Sequence, residues 1–158
     1  VVAAMGTAGA ELAALGKNRI VANGANFVVV NALPDLAITP GALTESAQTR
    51  ELIKAMVAAF NDQLKAGVAG DAKILHVDLF ALTHDQATNP APYGLTNTTM
   101  AACGANVLGG FALACNGSNL AGGDVSHFMF ADGAHPTPFE HLLVARYIST
   151  QMVIKGWI

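Results

Sequence analysis

Phe27-Val28-Val29-Val30-Asn31 decides the architecture. An unbroken apolar run, mostly β-branched, predicts a strand, and its lack of alternation predicts burial on both faces. That pattern marks an interior strand of a parallel sheet. Ahead of it, residues 2–22 are Ala-rich, with Leu12, Leu15, Ile20 and Val21 at helical spacing. They predict one or two helices, loosened by Gly6, Gly9 and Gly16 and closed by Asn23-Gly24. After the strand, Pro34, Pro40 and Gly41 mark residues 32–43 as a loop. Thr44 is the expected cap of a helix over 45–67, with Leu52, Met56, Ala59, Phe60 and Leu64 as its apolar stripe and Gly67 at its end. Ile74-Leu75-His76-Val77 predicts a second short strand, and Asp78 to Gln86 a short helix. Residues 88–126 read as loop; loops that long are usually functional or cross-linked. Thr137-Pro138-Phe139-Glu140 reads as a capping box, with Thr137 and Glu140 each taking a free amide and Pro138 at the first helical position. That last helix should run to about 154, with Leu142, Leu143, Ala145, Ile148 and Val153 apolar.

This order is α/β, the pattern of a parallel sheet covered by helices. Two strong strands do not complete such a sheet. Either a third strand lies near 127–131, or further strands come from other polypeptide. The second is preferred, which makes residues 1–158 the expected C-terminal portion of a single domain. The chain opens with Val1 in what reads as mid-helix, in keeping with that expectation.

Composition narrows the function classes. The hydrophobic fraction is 53% and the charged fraction 12%, the reverse of a disordered chain. A net charge of −3 and 8 unclustered Lys plus Arg argue against a nucleic-acid partner. No apolar stretch is long enough for a transmembrane helix, and the opening residues lack the basic and dense apolar blocks of a signal peptide. Cys103 and Cys115 lie in a Gly-, Asn- and Ser-rich stretch, where buried free cysteines are uncommon. A disulfide is the better reading. It would add about 3 kcal/mol and imply an oxidising compartment. Metal binding is the alternative, but the spacing fits no C-x-x-C pattern and there is no second pair.

The sharpest chemical pattern is Asp132-Gly133-Ala134-His135-Pro136-Thr137, on a tight turn before the capped helix. A carboxylate three residues before an imidazole can bond one ring nitrogen and leave the other free as a general base. The bland alternative is an Asp that caps the turn beside a packed His. Other polar residues read as structural. His76 and Asp78 flank Val77 on one strand face, His84 and Asp85 are expected at the surface, and Asp35 is expected in an Asx-type turn. His127 could line a site mouth, His141 should be exposed, and Asn97 and Asn116 begin sequons of the kind that arise by chance.

The hexapeptide resembles the D-x-x-H-P-T signature of GDSL (SGNH) hydrolases, serine-type esterases, lipases and acyltransferases. Asn23-Gly24-Ala25, the Val run and Asn31-Ala32-Leu33-Pro34-Asp35-Leu36-Ala37-Ile38-Thr39-Pro40 look like that family's strand and following loop. Phe60-Asn61-Asp62-Gln63-Leu64, His76-Val77-Asp78, Asn89-Pro90 and Tyr93-Gly94-Leu95-Thr96-Asn97 follow in the family's order. The resemblance is to the bacterial secreted or outer-membrane branch and covers nearly the whole chain. It implies a three-layer αβα fold with a parallel sheet, His135 as general base and Asp132 orienting it, with no cofactor. The family's nucleophile sits in a Gly-Asp-Ser motif, and an Asn in a later G-x-N-D motif is an oxyanion donor. Neither motif is in this chain: Gly123-Asp124-Val125-Ser126 has an extra residue and lies beside the His motif, and Asn61-Asp62 follows Phe60 on a helix.

The expected protein is therefore a carboxylic ester hydrolase acting through an acyl-enzyme, secreted, periplasmic or at the cell surface. Its partners would be an ester or lipid substrate and an N-terminal half carrying the serine. The chain could be half of a nicked enzyme, a fragment, or a non-catalytic remnant, in that order. Rivals are an acyltransferase of the same family, an esterase-like binding domain, and a metal-dependent hydrolase using His76, Asp78 and His135.

Overall fold

The computed structural model describes residues 1–158. Helix α1 (Val2–Leu15) continues through a π-helical turn (Gly16–Ile20) and a 3-10 turn (Val21–Asn23), stopped by Gly24 at φ 105°. Strand β1 (Val28–Asn31) follows, then α2 (Pro40–Leu43) and α3 (Ala47–Val68). Strand β2 (Ile74–Val77) leads into α4 (Leu79–Thr88). Strands β3 (Asn97–Ala101) and β4 (Phe128–Phe130) and helix α5 (Pro138–Lys155) complete the chain.

Both sheets are two-stranded and parallel. Val28 pairs with Ile74 and Asn31 with Val77, while Asn97 pairs with Phe128 and Ala101 with Phe130. The α/β class is thus as expected. The main core lies under the first sheet, where Ala13 of α1, Leu64 and Val68 of α3 and Ile74 of β2 are buried together with Val28 and Val30 against them. A second cluster of Leu95, Met129 and Phe130 carries Phe139 and Leu143 of α5. Sheet and helices here build the layers that a parallel α/β pattern demands.

Several expectations are corrected. The valines of β1 are only half-buried, Phe27 is 68% exposed, and the strand has a neighbour on one edge alone. An uninterrupted apolar strand expects cover on both faces, and this chain supplies only part of it. A third strand does lie in the 127–131 region, and it pairs with β3, inside the segment read as loop. Asn97-Thr98-Thr99-Met100-Ala101 carries a weak strand pattern; pairing to β4 and the Asn97 Oδ1 bonds to the amides of Thr99 and Met100 set it in place. Ser46, not Thr44, caps α3, because Thr44 donates its hydroxyl to Gly41 and closes α2. The capping box is half made. Thr137 Oγ1 accepts from the Glu140 amide, but the Thr137 amide bonds the Met129 carbonyl and Glu140 turns inward. Leu142 and Val153 of α5 are exposed.

Two glycines read as loosening or ending helices are instead where α1 and α3 touch. A Cβ at Gly9 would lie 2.2 Å from the Phe60 carbonyl oxygen, and one at Gly67 would lie 2.4 Å from the Ala13 Cβ. Helix α3 runs on past Gly67 to Val68. Gly9→Ala gains up to about 1 kcal/mol of helix propensity but drives a methyl into backbone. The clash wins: Gly9→Ala should lower stability by about 1–3 kcal/mol, while Gly117→Ala, with open space around it, should stay within about 0.5 kcal/mol. Thermal melts of both variants check this; equal melting temperatures would refute the close-contact account.

Candidate active site

The chain leaves β4 and turns back on itself within four residues. The Ala131 amide donates to the His135 carbonyl at 2.7 Å, closing the turn. Inside it, Asp132 Oδ1 accepts from the amides of Ala134 (2.8 Å) and His135 (2.7 Å). This is the Asx-type capping that a short carboxylate does well. The same carboxylate reaches the His135 ring: Nδ1 lies 2.9 Å from Oδ2 and 3.0 Å from Oδ1. Oδ2 also accepts from the Ala112 amide at 2.8 Å, from a segment twenty residues earlier in the chain.

Asp132 is 4% exposed, whereas the His135 side chain is 54% exposed. Burial alone would push the Asp132 carboxyl up. The amides of His135, Ala134 and Ala112, with the His135 ring, outweigh it and hold the group at about 2. Asp132 is therefore an anion at any working pH. With Nδ1–H committed to that anion, Nε2 keeps its lone pair and makes no bond within the chain. The arrangement can accept a proton at Nε2 and stabilise the imidazolium that results. Asp132 thus caps the turn and also holds the ring.

The loop after β1 buttresses this turn. Asn61 of α3 grips Leu33 at both ends, its Oδ1 accepting from the amide (2.8 Å) and its Nδ2 donating to the carbonyl (2.9 Å). Farther along, the Gly41 amide donates to the Gly133 carbonyl at 2.8 Å, and a Cβ on Gly41 would stand 2.9 Å from that oxygen. Cys103 and Cys115 form a disulfide. Its loop brings the Phe111 ring edge-on to His135, centroids 5.0 Å apart. A cavity of about 580 Å³ lies beside the disulfide, with Ala112, Pro136, Phe139 and His141 among its walls.

The remaining sequence candidates sit elsewhere. Asp78 caps α4 through the Ala81 amide, and burial lowers the His76 imidazole against the pull of Asp78. No group of three metal-ligating side chains assembles, so His76 and Asp78 do not join His135 in a metal site. Asp35 caps the 3-10 turn Leu36–Ile38 as expected. It also bonds His84 Nδ1 at 2.9 Å, while His84 lies at the surface as expected. Asp85 likewise accepts the Tyr93 hydroxyl, a bond that with burial pushes that hydroxyl up to about 12. His127 stacks on Phe139 at 4.1 Å. Ser46 caps α3 and Ser118 bonds Asn116; no serine hydroxyl of this chain bonds His135. Sequence reasoning missed Phe111, Ala112, Gly41 and the Asn61 grip. Only Asn61 and Gly41 carry a side-chain signal, a polar residue on an apolar helix face and a glycine after proline.

Residues 5–148 match the family described as GDSL-like Lipase/Acylhydrolase. Over 77 residues the chain is 36% identical to Lipase 1 of Photorhabdus luminescens, covering 49% of this chain and 12% of that protein. It is 29% identical over 96 residues to one GDSL esterase/lipase of Arabidopsis thaliana, covering 61% of this chain and 26% of the relative. A second from the same plant is 25% identical over 138 residues, covering 82% and 38%. The chain thus spans well under half the length of these curated relatives.

Behind the turn, Glu140 is buried against Gln86, whose Nε2 donates to it at 3.2 Å, and its Oε1 is unpartnered. Burial pushes Glu140 up to about 7, and the Gln86 bond opposes this only in part. Because the folded value lies above the ordinary 4.5, the group favours folding fully below 4.5, and that contribution is lost as pH rises through about 7. The melting temperature should therefore fall between about pH 5 and pH 8, and Glu140→Gln should flatten that decline. A pH-dependent melting series on both proteins checks it; an unchanged slope in the variant would show that Glu140 is not the titrating group.

Proposed function

The chain belongs to the GDSL-like lipase/acylhydrolase family, and on that premise we propose that it supplies the base of a serine-type carboxylic ester hydrolase. One observation carries the reading: a half-exposed His135 whose Nδ1 is held by the buried, anionic Asp132, leaving Nε2 turned outward. As a serine Oγ attacks the ester carbonyl carbon, Nε2 takes the hydroxyl proton. Asp132 stabilises the imidazolium. His135 then gives the proton to the departing alkoxide, leaving an acyl-enzyme. Water, or another alcohol in a transferase, attacks the acyl group with the same help.

The nucleophile and the oxyanion donors are assigned to polypeptide that precedes this chain in the family's order. Two observations support that assignment. The accessible surface is 8617 Å², against about 7,500 Å² for a compact domain of this mass. One edge of β1 is unpaired, and Phe27 beside that strand and Leu12 and Leu15 of α1 are exposed apolar side chains of the kind further strands and helices would cover. The Cys103–Cys115 disulfide supports a place in an oxidising compartment. Higher identity to the Photorhabdus lipase than to the plant relatives supports a bacterial branch.

The assembled enzyme should lose about three or more orders of magnitude in kcat/KM on His135→Ala and somewhat less on Asp132→Asn. Steady-state hydrolysis of a p-nitrophenyl ester measures both. Activity within about tenfold of wild type in both variants would sink the assignment. Intact-mass analysis after treatment with a fluorophosphonate locates the nucleophile: the label is expected on polypeptide outside these 158 residues, and a label on Ser126 would overturn that part.

A further inference from the structure

The loop closed by the disulfide touches both members of the pair, through two consecutive residues. The Ala112 amide donates to Asp132 Oδ2 at 2.8 Å, and the Phe111 ring packs edge-on to the His135 imidazole. No other bond to Asp132 comes from outside its own turn. Resting on the proposed role of His135, we infer that Phe111 and the Ala112 amide are positioning groups for the base, and that the Cys103–Cys115 bond exists to hold them there.

The anchoring is traceable at both ends of the loop. The Cys103 amide donates to the Ala131 carbonyl at 2.8 Å, so one sulfur is fixed beside the residue that precedes Asp132. The disulfide carries that fixed point across to Cys115, directly after the 3-10 turn Ala112–Ala114. Asn119 Nδ2 donates to the Ala114 carbonyl and Asn106 Nδ2 to the Phe111 carbonyl, each at about 3 Å, which sets the turn's orientation. Phe111 and Ala112 themselves contribute little to a core: Phe111 is 47% exposed. A residue buried for packing alone would not sit half in solvent with its ring edge on a histidine. Ala112 opens its turn, so its N–H has no partner inside it and is free to serve the carboxylate.

Loss of that amide leaves Asp132 anchored only by the local turn and by the ring it is meant to hold. His135 then gains rotational freedom about χ1 and χ2, and Nε2 spends less time aimed at the nucleophile. The effect falls on kcat, because neither group touches substrate in this account.

Ala112→Pro isolates the contact. Proline at the first position of a helical turn removes an N–H that the turn does not use. Phe111, at φ −67° and ψ 137°, already has the extended backbone that a residue before proline needs. The expected result in the assembled enzyme is a fall in kcat of at least about tenfold, with KM and melting temperature little changed. Phe111→Ala should act in the same direction, Phe111→Tyr should restore most of the loss, and Leu113→Ala, on the exposed tip of the same loop, should do nothing. A second readout needs no catalysis. The Asp132 carboxyl, followed by carbon NMR in the assembled enzyme, should titrate higher in Ala112→Pro and in the Cys103→Ser/Cys115→Ser double variant than in the unsubstituted protein, moving towards the ordinary 3.8. His135 is the one titratable side chain bonded to it, and it remains in every variant. An unmoved carboxyl titration with kcat within about twofold would overturn the inference. A wild-type enzyme with no esterase activity would instead overturn the proposed function and leave the carboxyl titration to decide this one.

Discussion

A carboxylate withdrawn from water must find its hydrogen-bond donors inside the protein or forgo its charge. Asp132 finds four: its own turn gives two amides, the disulfide loop gives one, and the His135 ring gives the last. The geometry of the site follows from this requirement. The turn must be tight enough to aim Ala134 and His135 back at the side chain. The loop must come close enough to lend Ala112. His135 must point its Nδ1 inward, which leaves Nε2 outward. One anion thereby fixes a backbone turn, a distant loop and a ring orientation together.

The same turn is gripped from behind by the first half of the chain. Gly41 approaches Gly133 more closely than any side chain would allow, and Asn61 ties the start of that loop to α3. Helix α3 in turn lies against α1 through Gly9 and Gly67. The contacts run from α1 to α3, to the loop and short helix α2 after β1, to the Asp132–His135 turn. Glycines stand at the α1–α3 and Gly41–Gly133 joints because a Cβ there would collide with the neighbour, while the Asn61 joint is made by a side-chain amide. This gives the His turn a support that reaches across both sheets, although each sheet has only two strands.

What was legible in the sequence was local. Asp132 and His135 could be read because a carboxylate and an imidazole three residues apart on a turn can meet without help from the rest of the chain. Strands β1 and β2 could be read from their apolar density, and the Cys103–Cys115 bond from its surroundings. What was misread depended on partners far away in sequence. Gly9 and Gly67 look like helix weaknesses until Phe60 and Ala13 stand opposite them. Glu140 looks like half of a capping box until β4 takes the Thr137 amide and Gln86 meets the carboxyl. Strand β3 exists because β4 pairs with it. The Ala112 amide could not have been found at all, since a backbone donor carries no mark of residue type.

Asp35 and His84 repeat the Asp132–His135 contact, with a buried carboxylate, a half-exposed imidazole and the same 2.9 Å to Nδ1. In each, the aspartate also caps a short turn. A geometric template built on that distance and burial would therefore match this chain twice, some fifty residues apart in sequence for one pair and three for the other. What separates the two is the neighbouring aromatic. Phe80 lies parallel to the His84 ring at 6.0 Å on the same helix, whereas Phe111 meets His135 edge-on from a separate, covalently closed loop. For recognising such sites by shape, the neighbouring phenyl ring is more discriminating than the pair.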